Sequence, residues 1–568
     1  MNSQQLEQPP EKQVVNCVPE TDRPGLRTSY SSHLVLLLLI LLAGVVVRGI
    51  GLNAKSVWYD EAISTASLDL SYSEIILRKA DATSVHPPFY FLVLKLWSQL
   101  LGDSQFSLRS IALCFGILTI LGMYNFVRRL CLFSQIENST ASYVALWTAF
   151  LVATSPLQIV TSQQIRGYSL GTCLFAWSSF LLLLGFMSTG RRSLLAWAGW
   201  ALLSVLFCYT SNIAVLSVAG QSLFICLYVL QLYVNKPGQQ EAINETEWNK
   251  NRLQNRTQIR YAILSLLALI MFYGLPWGAR FLSQASTVQN TQAISRPLTS
   301  KQIALEVYRT VCTSWAAPHT KNLLFAWLTT VFVLACLMWA MKRFKWSGIY
   351  LGLTGLLPVL LILNFSAFSN RSIMQSRYLT FSQIMWLAAI ALVFFHKKDS
   401  SLRKDLISSA FIIFAFWSIT LNWQVHGTHH KAGMREVVEN ILENRQPDDI
   451  IIARDRFVFF GMKYYLRDHA TPKILVDSKD RSLMRAGYEL NDDDLILPAE
   501  LLKTSANKLW MVETSSYQLP QRSEFQIPPS WGLEFSLSYE QDQYWEKEIE
   551  VRYYNRTEKL PLLSSDSH

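Results

Sequence analysis

The feature that most restricts the fold of this chain is a succession of apolar runs, each close to the length of a membrane-spanning helix. The hydrocarbon core of a bilayer requires roughly 20 apolar residues per helix. Charged residues separate the runs and are almost absent within them. We therefore predict an α-helical polytopic membrane protein with about eleven transmembrane helices. The runs are residues 33–47, 106–127, 142–162, 168–188, 194–209, 213–234, 261–277, 323–341, 348–368, 378–395 and 406–423.

The composition agrees with a membrane protein and excludes several other classes. Hydrophobic residues make up 51% of the chain and charged residues only 16%, whereas a soluble globular domain has about 25% charged residues. These values exclude a typical soluble enzyme, a disordered chain and a small disulfide-rich secreted protein. The net charge of +10 comes from short basic clusters between apolar runs, which indicates membrane topology rather than a nucleic-acid surface.

The basic clusters predict the orientation of the chain in the membrane. They follow alternate apolar runs, so all of them are cytoplasmic only if the N-terminus is cytoplasmic as well. This arrangement requires that segment 86–101, which is short and contains Lys95, lies in the outer interface without crossing. The clusters are at residues 128–129, 191–192, 236–260, 342–345 and 397–404.

The predicted orientation divides the chain into three regions. Residues 1–32 are polar and are predicted to form a disordered cytoplasmic tail. Residues 33–424 form a transmembrane module whose first outer loop comprises residues 51–105. After residue 424 the charged residues return, and helix-like and strand-like patterns alternate. Residues 425–568 are therefore predicted to form a small extracytoplasmic α/β domain.

Four short polar clusters at the predicted outer ends of helices are candidates for chemistry. Two adjacent carboxylates, Asp60 and Glu61, follow the first span and can supply a general base. His86 precedes two prolines, and Arg166 and Arg377 each stand beside an apolar helix. Each cluster alone has an ordinary structural explanation, because acids favour helix N-termini, proline starts helices and arginine anchors helix ends in the interface.

Taken together, the four clusters favour a binding site. The acidic, histidine and arginine side chains all map to one side of the membrane, next to apolar helix surfaces. A substrate with a lipid tail and an anionic head requires this combination of an apolar groove and a fixed cation at its mouth.

Six sequence motifs, taken in order, resemble those of a known superfamily. Asp60-Glu61 comes first, followed by HPPFY at 86–90 and FSLRSIALCFGILTILGMYNFVRRL at 106–130. SPLQIVTSQQIRGYSL at 155–170, LPWGARFLSQ at 275–284 and SRYL at 376–379 come next. This order resembles the GT-C integral membrane glycosyltransferases, and among them glycosyltransferase family 39, which includes protein O-mannosyltransferases and the aminoarabinose transferase of lipid A. The resemblance covers residues 35–378, with a weaker similarity at 434–435.

The resemblance implies a GT-C fold and a polyprenyl-phosphate sugar as donor. It also implies transfer, with inversion at the anomeric carbon, on the outer face of the cell (inner or plasma) membrane. In that scheme Asp60 is the general base that takes the proton of the acceptor hydroxyl. Glu61 and His86 shape the donor and acceptor pocket, and Arg166 and Arg377 hold the phosphate. The expected substrate-binding set also includes Tyr59, Gln164, Tyr168 and Tyr378.

Two departures from the family pattern bear on the chemistry. Relatives often carry Glu at the position of Gln164, and His near Tyr209, where this chain has Ser211 and Asn212. A neutral amide is neither a base nor a strong metal ligand, so Gln164 argues against a divalent metal cofactor. Asp60 then remains the main catalytic candidate, and the substitution also leaves open an inactive member of the family.

Two other functions compete with glycosyl transfer. A lipid-sugar flippase or transporter would explain the spans, but it predicts polar residues along a path through the bilayer, and the spans contain few. A non-catalytic envelope assembly component, with the outer α/β domain binding a partner, would tolerate Gln164. The expected partners are the polyprenyl-phosphate sugar, membrane lipids and a lipid, glycan or protein acceptor, and not nucleic acid.

Overall fold

The computed structural model describes residues 24–79, 86–234, 245–290, 299–314, 323–369, 373–396, 401–426, 433–476, 490–504, 506–514, 527, 530–540 and 548–556. These residues form a bundle of helices followed by a small domain built on a sheet.

Helices dominate the chain as far as residue 426. They are α1 (Pro24–Gly49), α2 (Tyr59–Ala66), α3 (Tyr72–Lys79), α4 (Phe89–Leu101), α5 (Gln105–Phe133), α6 (Asn138–Thr154), α7 (Pro156–Thr161), α8 (Tyr168–Met187), α9 (Gly190–Cys208), α10 (Ala214–Val234), α11 (Glu245–Leu269), α12 (Leu275–Asn290), α13 (Ser300–Tyr308), α14 (Leu323–Arg343), α15 (Lys345–Gly355), α16 (Leu357–Ser369), α17 (Thr380–Phe395) and α18 (Ser401–His426). Turns of 3₁₀ helix occur at Ser67–Asp69 and Ser376–Leu379, and π-helical turns at Ile270–Gly274 and Arg309–Thr313.

The lengths and surfaces of these helices are those of a membrane protein. Eight helical segments in the described part of the chain are long and apolar enough to cross a bilayer. They coincide with eight of the predicted runs, and α6, α9 and α18 occupy the other three. Large apolar side chains such as Leu38, Leu264, Phe325 and Phe416 are exposed on the outside of the bundle, where lipid rather than water is the suitable solvent.

Helix α4 agrees with the prediction that segment 86–101 does not cross the membrane. It has 13 residues, which at about 1.5 Å per residue gives a length of about 20 Å, too short for the hydrocarbon core. Lys95 donates to the carbonyl of Leu68 at 2.7 Å, and Trp97 donates to the carbonyl of Ser107 at 3.0 Å. The helix is therefore fastened to the 3₁₀ turn Ser67–Asp69 and to the start of α5.

The apolar run at 142–162 differs from the continuous helix that its composition suggests. Helix α6 ends at Thr154, Ser155 adopts an extended conformation (φ −64°, ψ 123°), and α7 begins at Pro156. The cause is that proline has no N–H to donate to the carbonyl of Val152. The break redirects the chain, so that α7 leads into the turn at residues 162–167.

The C-terminal region is the α/β domain that the sequence predicts. Its six-stranded sheet, counted over the described residues, has the order β3-β2-β1-β4-β6-β5. The first four strands are parallel, β6 is antiparallel to β4, and β5 is antiparallel to β6. The elements are α19 (Gly433–Asn444), β1 (Ile450–Ala453), α20 (Arg456–Leu466), β2 (Lys473–Leu475), β3 (Leu495–Ile496), α21 (Pro498–Lys503), β4 (Lys508–Thr514), β5 (Trp531–Glu540) and β6 (Glu548–Arg556).

Helix α20 docks this domain onto the residues just before α2 and at the start of α5. The Tyr465 hydroxyl accepts a hydrogen bond from the Val57 amide at 2.8 Å and donates to Gln105 Oε1 at 2.9 Å. Arg435 donates to the same Gln105 oxygen at 2.7 Å. These contacts hold the domain over α2.

Tyr465→Phe is predicted to loosen this docking. It removes the hydroxyl that bonds Val57 and Gln105, and leaving such partners unsatisfied costs about 1–3 kcal/mol. We expect faster limited proteolysis of the C-terminal domain with unchanged helix content by circular dichroism. Tyr539→Phe, on strand β5, is the matched control, and equal cleavage rates for the two variants would contradict the assigned contact.

Candidate active site

The two neighbouring acids, Asp60 and Glu61, lie in the first turn of α2. The preceding residue, Trp58, is extended (φ −91°, ψ 170°), and its amide donates to Glu61 Oε2 at 3.3 Å. Acidic residues are favoured here because the N-terminus of a helix carries partial positive charge and free N–H groups. Since adjacent helical residues point in different directions, the two carboxylates have different surroundings.

Glu61 is fully buried and joins three separate segments. Its carboxylate accepts from Arg109 Nε at 2.9 Å and Nη2 at 2.6 Å, and from the Ile165 amide at 2.8 Å. Arg109 belongs to α5 and also donates to the carbonyls of Leu52 and Lys55. Glu61 therefore lies beneath the site and fixes α2 relative to α5 and the turn after α7.

Arg109 is a site residue that the sequence analysis missed. It lies inside the FSLRS motif, in the first turns of an apolar run. A charged side chain at such a place usually has a buried partner or a function. That signal could have identified it as the partner of an acid.

Asp60 has a more open position than Glu61. Its side chain is 19% exposed, and Oδ2 lies 3.0 Å from Arg377 Nη1 and 3.9 Å from Arg166 Nη2. Arg166 also donates to the Asp60 backbone carbonyl at 3.1 Å. One carboxylate oxygen thus faces two guanidinium groups that come from distant parts of the chain.

Arg166 connects Asp60 to His86. Arg166 Nη2 lies 2.9 Å from His86 Nε2. Arginine has only donors, so His86 Nε2 accepts this hydrogen bond and its ring proton resides on Nδ1. Burial acts to lower the pKa of Arg166, but the interactions with Asp60 and Tyr168 together outweigh it and leave that pKa above its ordinary value, so the guanidinium is charged.

Arg377 lies in the 3₁₀ turn that leads into α17. Its Nε donates to Gln375 Oε1 at 2.6 Å, and its guanidinium lies 5.2 Å from the ring centroid of Tyr378. The turn is held from α13, because Glu306 Oε2 accepts from the Ser376 amide at 2.7 Å. The sequence analysis did not identify Glu306, whose role depends on a contact 70 residues away.

Of the remaining predicted residues, Tyr168 lies beside an arginine side chain, Tyr59 packs on the C-terminal domain and Gln164 is buried. The Tyr168 ring centroid lies 6.0 Å from the Arg166 guanidinium, within the range of a cation–π contact. The Tyr59 ring packs on Phe457 of α20, with centroids 4.3 Å apart. Gln164 is buried, and its side-chain oxygen has no hydrogen-bond partner among the described residues.

The structure thus brings six of the nine predicted residues into one cluster. They are Asp60, His86, Arg166, Tyr168, Arg377 and Tyr378. Glu61 supports the cluster from below, Tyr59 extends towards the C-terminal domain, and Gln164 makes no side-chain hydrogen bond to it within the described residues. Over the same residues, no group of three or more His, Cys, Asp or Glu side chains is arranged to hold a metal ion.

The fold is similar to those of solved membrane glycosyltransferases. ArnT from Cupriavidus metallidurans in the apo state is 11% identical, with a TM-score of 0.54 over 93% of this chain and 98% of ArnT. ArnT bound to undecaprenyl phosphate is 12% identical, with a TM-score of 0.54 over 93% of this chain and 99% of ArnT. The oligosaccharyltransferase AglB from Archaeoglobus fulgidus, in complex with an inhibitory peptide and a dolichol-phosphate, is 13% identical, with a TM-score of 0.45 over 94% of this chain and 75% of AglB.

These similarities concern the fold. No family model matches the chain, and no curated protein sequence matches it. The similarity to ArnT shows that the chain has the GT-C fold that the sequence motifs implied. Eight apolar helical segments in the described part of the chain are long enough to cross a membrane.

Glu61→Ala is predicted to destabilise the folded protein strongly. Removing one partner of a buried ion pair leaves the other charge uncompensated, at a cost of about 3–5 kcal/mol. We expect a large fall in the thermal unfolding temperature of the protein in detergent. Glu74→Ala is the matched control, because Glu74 is exposed and caps α3 from the corresponding position. Similar unfolding temperatures for the two variants would refute the structural role of Glu61.

Proposed function

We propose that this chain transfers a sugar from a polyprenyl-phosphate donor to an acceptor hydroxyl on the outer face of the membrane, with inversion at the anomeric carbon. The observation that carries the proposal is the Asp60 oxygen placed 3.0 Å from Arg377 and 3.9 Å from Arg166. A carboxylate beside two fixed cations suits a reaction that takes a proton from one substrate and leaves negative charge on the phosphate of the other. The GT-C fold supports the same reaction.

In the proposed reaction the acceptor oxygen attacks the anomeric carbon on the face opposite the lipid phosphate. The bond between the anomeric carbon and the phosphate oxygen breaks, and its electron pair remains on the phosphate. The acceptor proton passes to Asp60. Help from such a base is worth roughly a hundred- to ten-thousand-fold in rate.

The two arginines stabilise the charge that develops on the departing phosphate. A fixed donor in a water-poor site favours the transition state over the ground state, and removing one costs about 3 kcal/mol. Arg377 is the main phosphate ligand in this scheme, and Arg166, oriented by His86, supports it. Tyr168 and Tyr378 flank the two guanidinium groups.

Donor binding also frees the Asp60 carboxylate from Arg377. In the structure Arg377 donates to Asp60 Oδ2 at 3.0 Å, so this carboxylate oxygen is occupied before the donor binds. A lipid phosphate carries negative charge and competes with Asp60 for Arg377. Donor binding therefore releases the Asp60 oxygen that receives the acceptor proton.

The position of α5 supports the proposed sidedness of the reaction. This helix has 29 residues, a length of about 43 Å. Gln105 at its start contacts Arg435 of the C-terminal domain, whereas Ser134, just past its end, bonds Ser347 beside the basic cluster at 342–345. The basic clusters and the site thus lie at opposite ends of the bundle. With the positive-inside rule, this supports the proposal that the site and the C-terminal domain are on the outer face and the N-terminus is cytoplasmic.

The C-terminal domain lies beside the acceptor route in this scheme. Phe457 packs on Tyr59, the residue before Asp60. A lipid, glycan or protein acceptor whose hydroxyl reaches Asp60 therefore passes close to α20. We assign to this domain a share in acceptor binding.

Asp60→Asn is predicted to separate catalysis from donor binding. Loss of the base lowers transfer at least a hundredfold. Loss of the negative charge removes the competitor for Arg377, so polyprenyl phosphate binds about tenfold more tightly. Transfer is measured with the purified protein in lipid nanodiscs, and binding by displacement of a fluorescent lipid phosphate.

The control for this variant is Asp69→Asn, which neutralises an exposed carboxylate in the same outer loop. Asp69→Asn should change neither the rate of sugar transfer nor the affinity for polyprenyl phosphate. Full transfer by Asp60→Asn would end the general-base assignment, and unchanged or weaker phosphate binding would end the competition between Asp60 and the donor.

Arg377→Ala is predicted to weaken use of the lipid donor. Loss of a charged phosphate ligand costs about 3 kcal/mol, which corresponds to more than a hundredfold in kcat/KM for the donor. The exposed Arg280→Ala of α12 is the control. An unchanged dependence of the rate on donor concentration in Arg377→Ala would remove Arg377 from the site.

The product identifies the acceptor. We expect mass spectrometry of membrane lipids and envelope glycans, with and without the functional chain, to show one species that gains a sugar. No such species, together with movement of the lipid-linked sugar across the membrane, would instead support a transporter.

A further inference from the structure

Arg48 is a charged residue buried inside the bundle that the proposed reaction does not use. It lies in the last turn of α1, and none of its surface is exposed, whereas most of its neighbours on α1 are exposed. Placing a guanidinium inside a membrane protein is costly unless it has a structural or functional use.

The first use is to satisfy carbonyl groups at the break between α6 and α7. Pro156 has no N–H to donate to the Val152 carbonyl, and α6 ends before another residue can do so. Arg48 Nη2 donates to the Val152 carbonyl at 3.0 Å, and Nη1 to the Ala153 carbonyl at 2.8 Å. A cation at the C-terminus of a helix also interacts favourably with the helix dipole.

The second use is to hold the turn that follows α7. Arg48 Nε donates to Ser162 Oγ at 3.3 Å, and Ser162 Oγ donates to the Gln158 carbonyl at 2.6 Å. In return, Gln163 Nε2 donates to the carbonyls of Arg48 at 3.0 Å and Ile50 at 2.9 Å. The end of α1 and the start of this turn are therefore joined in both directions.

Helix α5 closes tightly over this junction at Gly116. A Cβ atom at this position would overlap Ser162 Oγ and lie 3.2 Å from Arg48 Nε. Only glycine allows α5 to approach so closely, so the contact between Arg48 and Ser162 is confined on that side as well.

The joined segments lead to two of the charged groups of the site, Asp60 and Arg166. The chain leaves α1 at Gly49 and reaches Asp60 in α2, and Arg166 is four residues after Ser162. We propose that Arg48 is a positioning residue that sets the separation of the Arg166 guanidinium from the Asp60 carboxylate. This inference rests on the proposed transfer reaction, and it assigns a role to a residue that contacts no substrate.

The test compares arginine with lysine. Arg48→Lys keeps the charge and can still reach one or two carbonyls, but it cannot bond Ser162 at the same time, because lysine lacks the arginine fork. We expect kcat to fall at least about tenfold, since a small misplacement of reacting groups has effects of this size. The KM for the lipid donor should change little, because Arg377 is held from α13. Arg48→Met should lose more kcat than Arg48→Lys.

A matched control is available at the other end of α5. Arg128 Nε donates to Ser142 Oγ at 3.2 Å, the same type of contact far from the site. Arg128→Lys should leave kcat unchanged. Ser162→Ala should lower kcat as Arg48→Lys does, and the double variant Arg48→Lys/Ser162→Ala should be no worse than Arg48→Lys alone, because both remove the same contact.

Hydrogen–deuterium exchange separates this inference from the proposed function. Arg48→Lys should speed exchange at amides 159–166 while the unfolding temperature stays close to that of Arg128→Lys, whether or not the wild-type protein transfers sugar. Wild-type kcat and wild-type exchange in Arg48→Lys would overturn the positioning role. So would a parallel loss of kcat and unfolding temperature in both lysine variants, which would indicate a general structural effect. Absence of transfer by the wild-type protein, with faster exchange in Arg48→Lys, would overturn only the proposed reaction.

Discussion

The buried ion pair between Glu61 and Arg109 is the interaction on which the rest of the site depends. It ties the first turn of α2 to α5, and the same carboxylate receives the amide of Ile165. Without it, α2, which carries Asp60, and the turn that carries Arg166 would lose the contact that ties both of them to α5. The pair is enclosed by protein, so its geometry is fixed before any substrate arrives, and a preorganised site requires this.

Two adjacent acids acquire different roles because a helix turns them towards different surroundings. Glu61 is fully buried and its oxygens are occupied by protein donors, whereas Asp60 is 19% exposed and meets two guanidinium groups that also suit a phosphate. The charge of Glu61 is used in a structural ion pair, whereas the carboxylate of Asp60 is the group that acts as the base in the proposed reaction. Arg109 and Arg377 differ in the same way, since Arg109 is closed off beneath α2 and Arg377 remains 22% exposed.

The sequence predicted those parts of the molecule that depend on local pattern. Apolar runs predicted the spans, and the alternating patterns after residue 424 predicted the C-terminal α/β domain, in which Ile450–Ala453 is a strand. The ordered motifs indicated the GT-C fold and selected Asp60 and Arg377, which are 317 positions apart and form an ion pair. The hairpin of β5 and β6 was missed, because much of β5 is exposed and its pattern carries no strong apolar signal.

The residues that sequence reasoning did not assign depend on tertiary contacts. The use of Arg109 depends on Glu61, that of Arg48 on carbonyls freed by Pro156, and that of Glu306 on the Ser376 amide. A single sequence gives the types of these residues but not which distant groups they meet. Gln164 is the opposite case, a residue that was predicted for the site because of its position in a motif. Its side chain makes no hydrogen bond to the charged cluster in the described structure.

In the proposed reaction Arg377 and Arg166 exchange the Asp60 carboxylate for the phosphate of a lipid-linked sugar. A cryo-electron microscopy structure of the full chain in nanodiscs with polyprenyl phosphate tests this exchange. We expect phosphate density within hydrogen-bond distance of Arg377, with the Asp60 side chain moved away from that guanidinium. Phosphate bound elsewhere, with the ion pair between Asp60 and Arg377 intact, would contradict it.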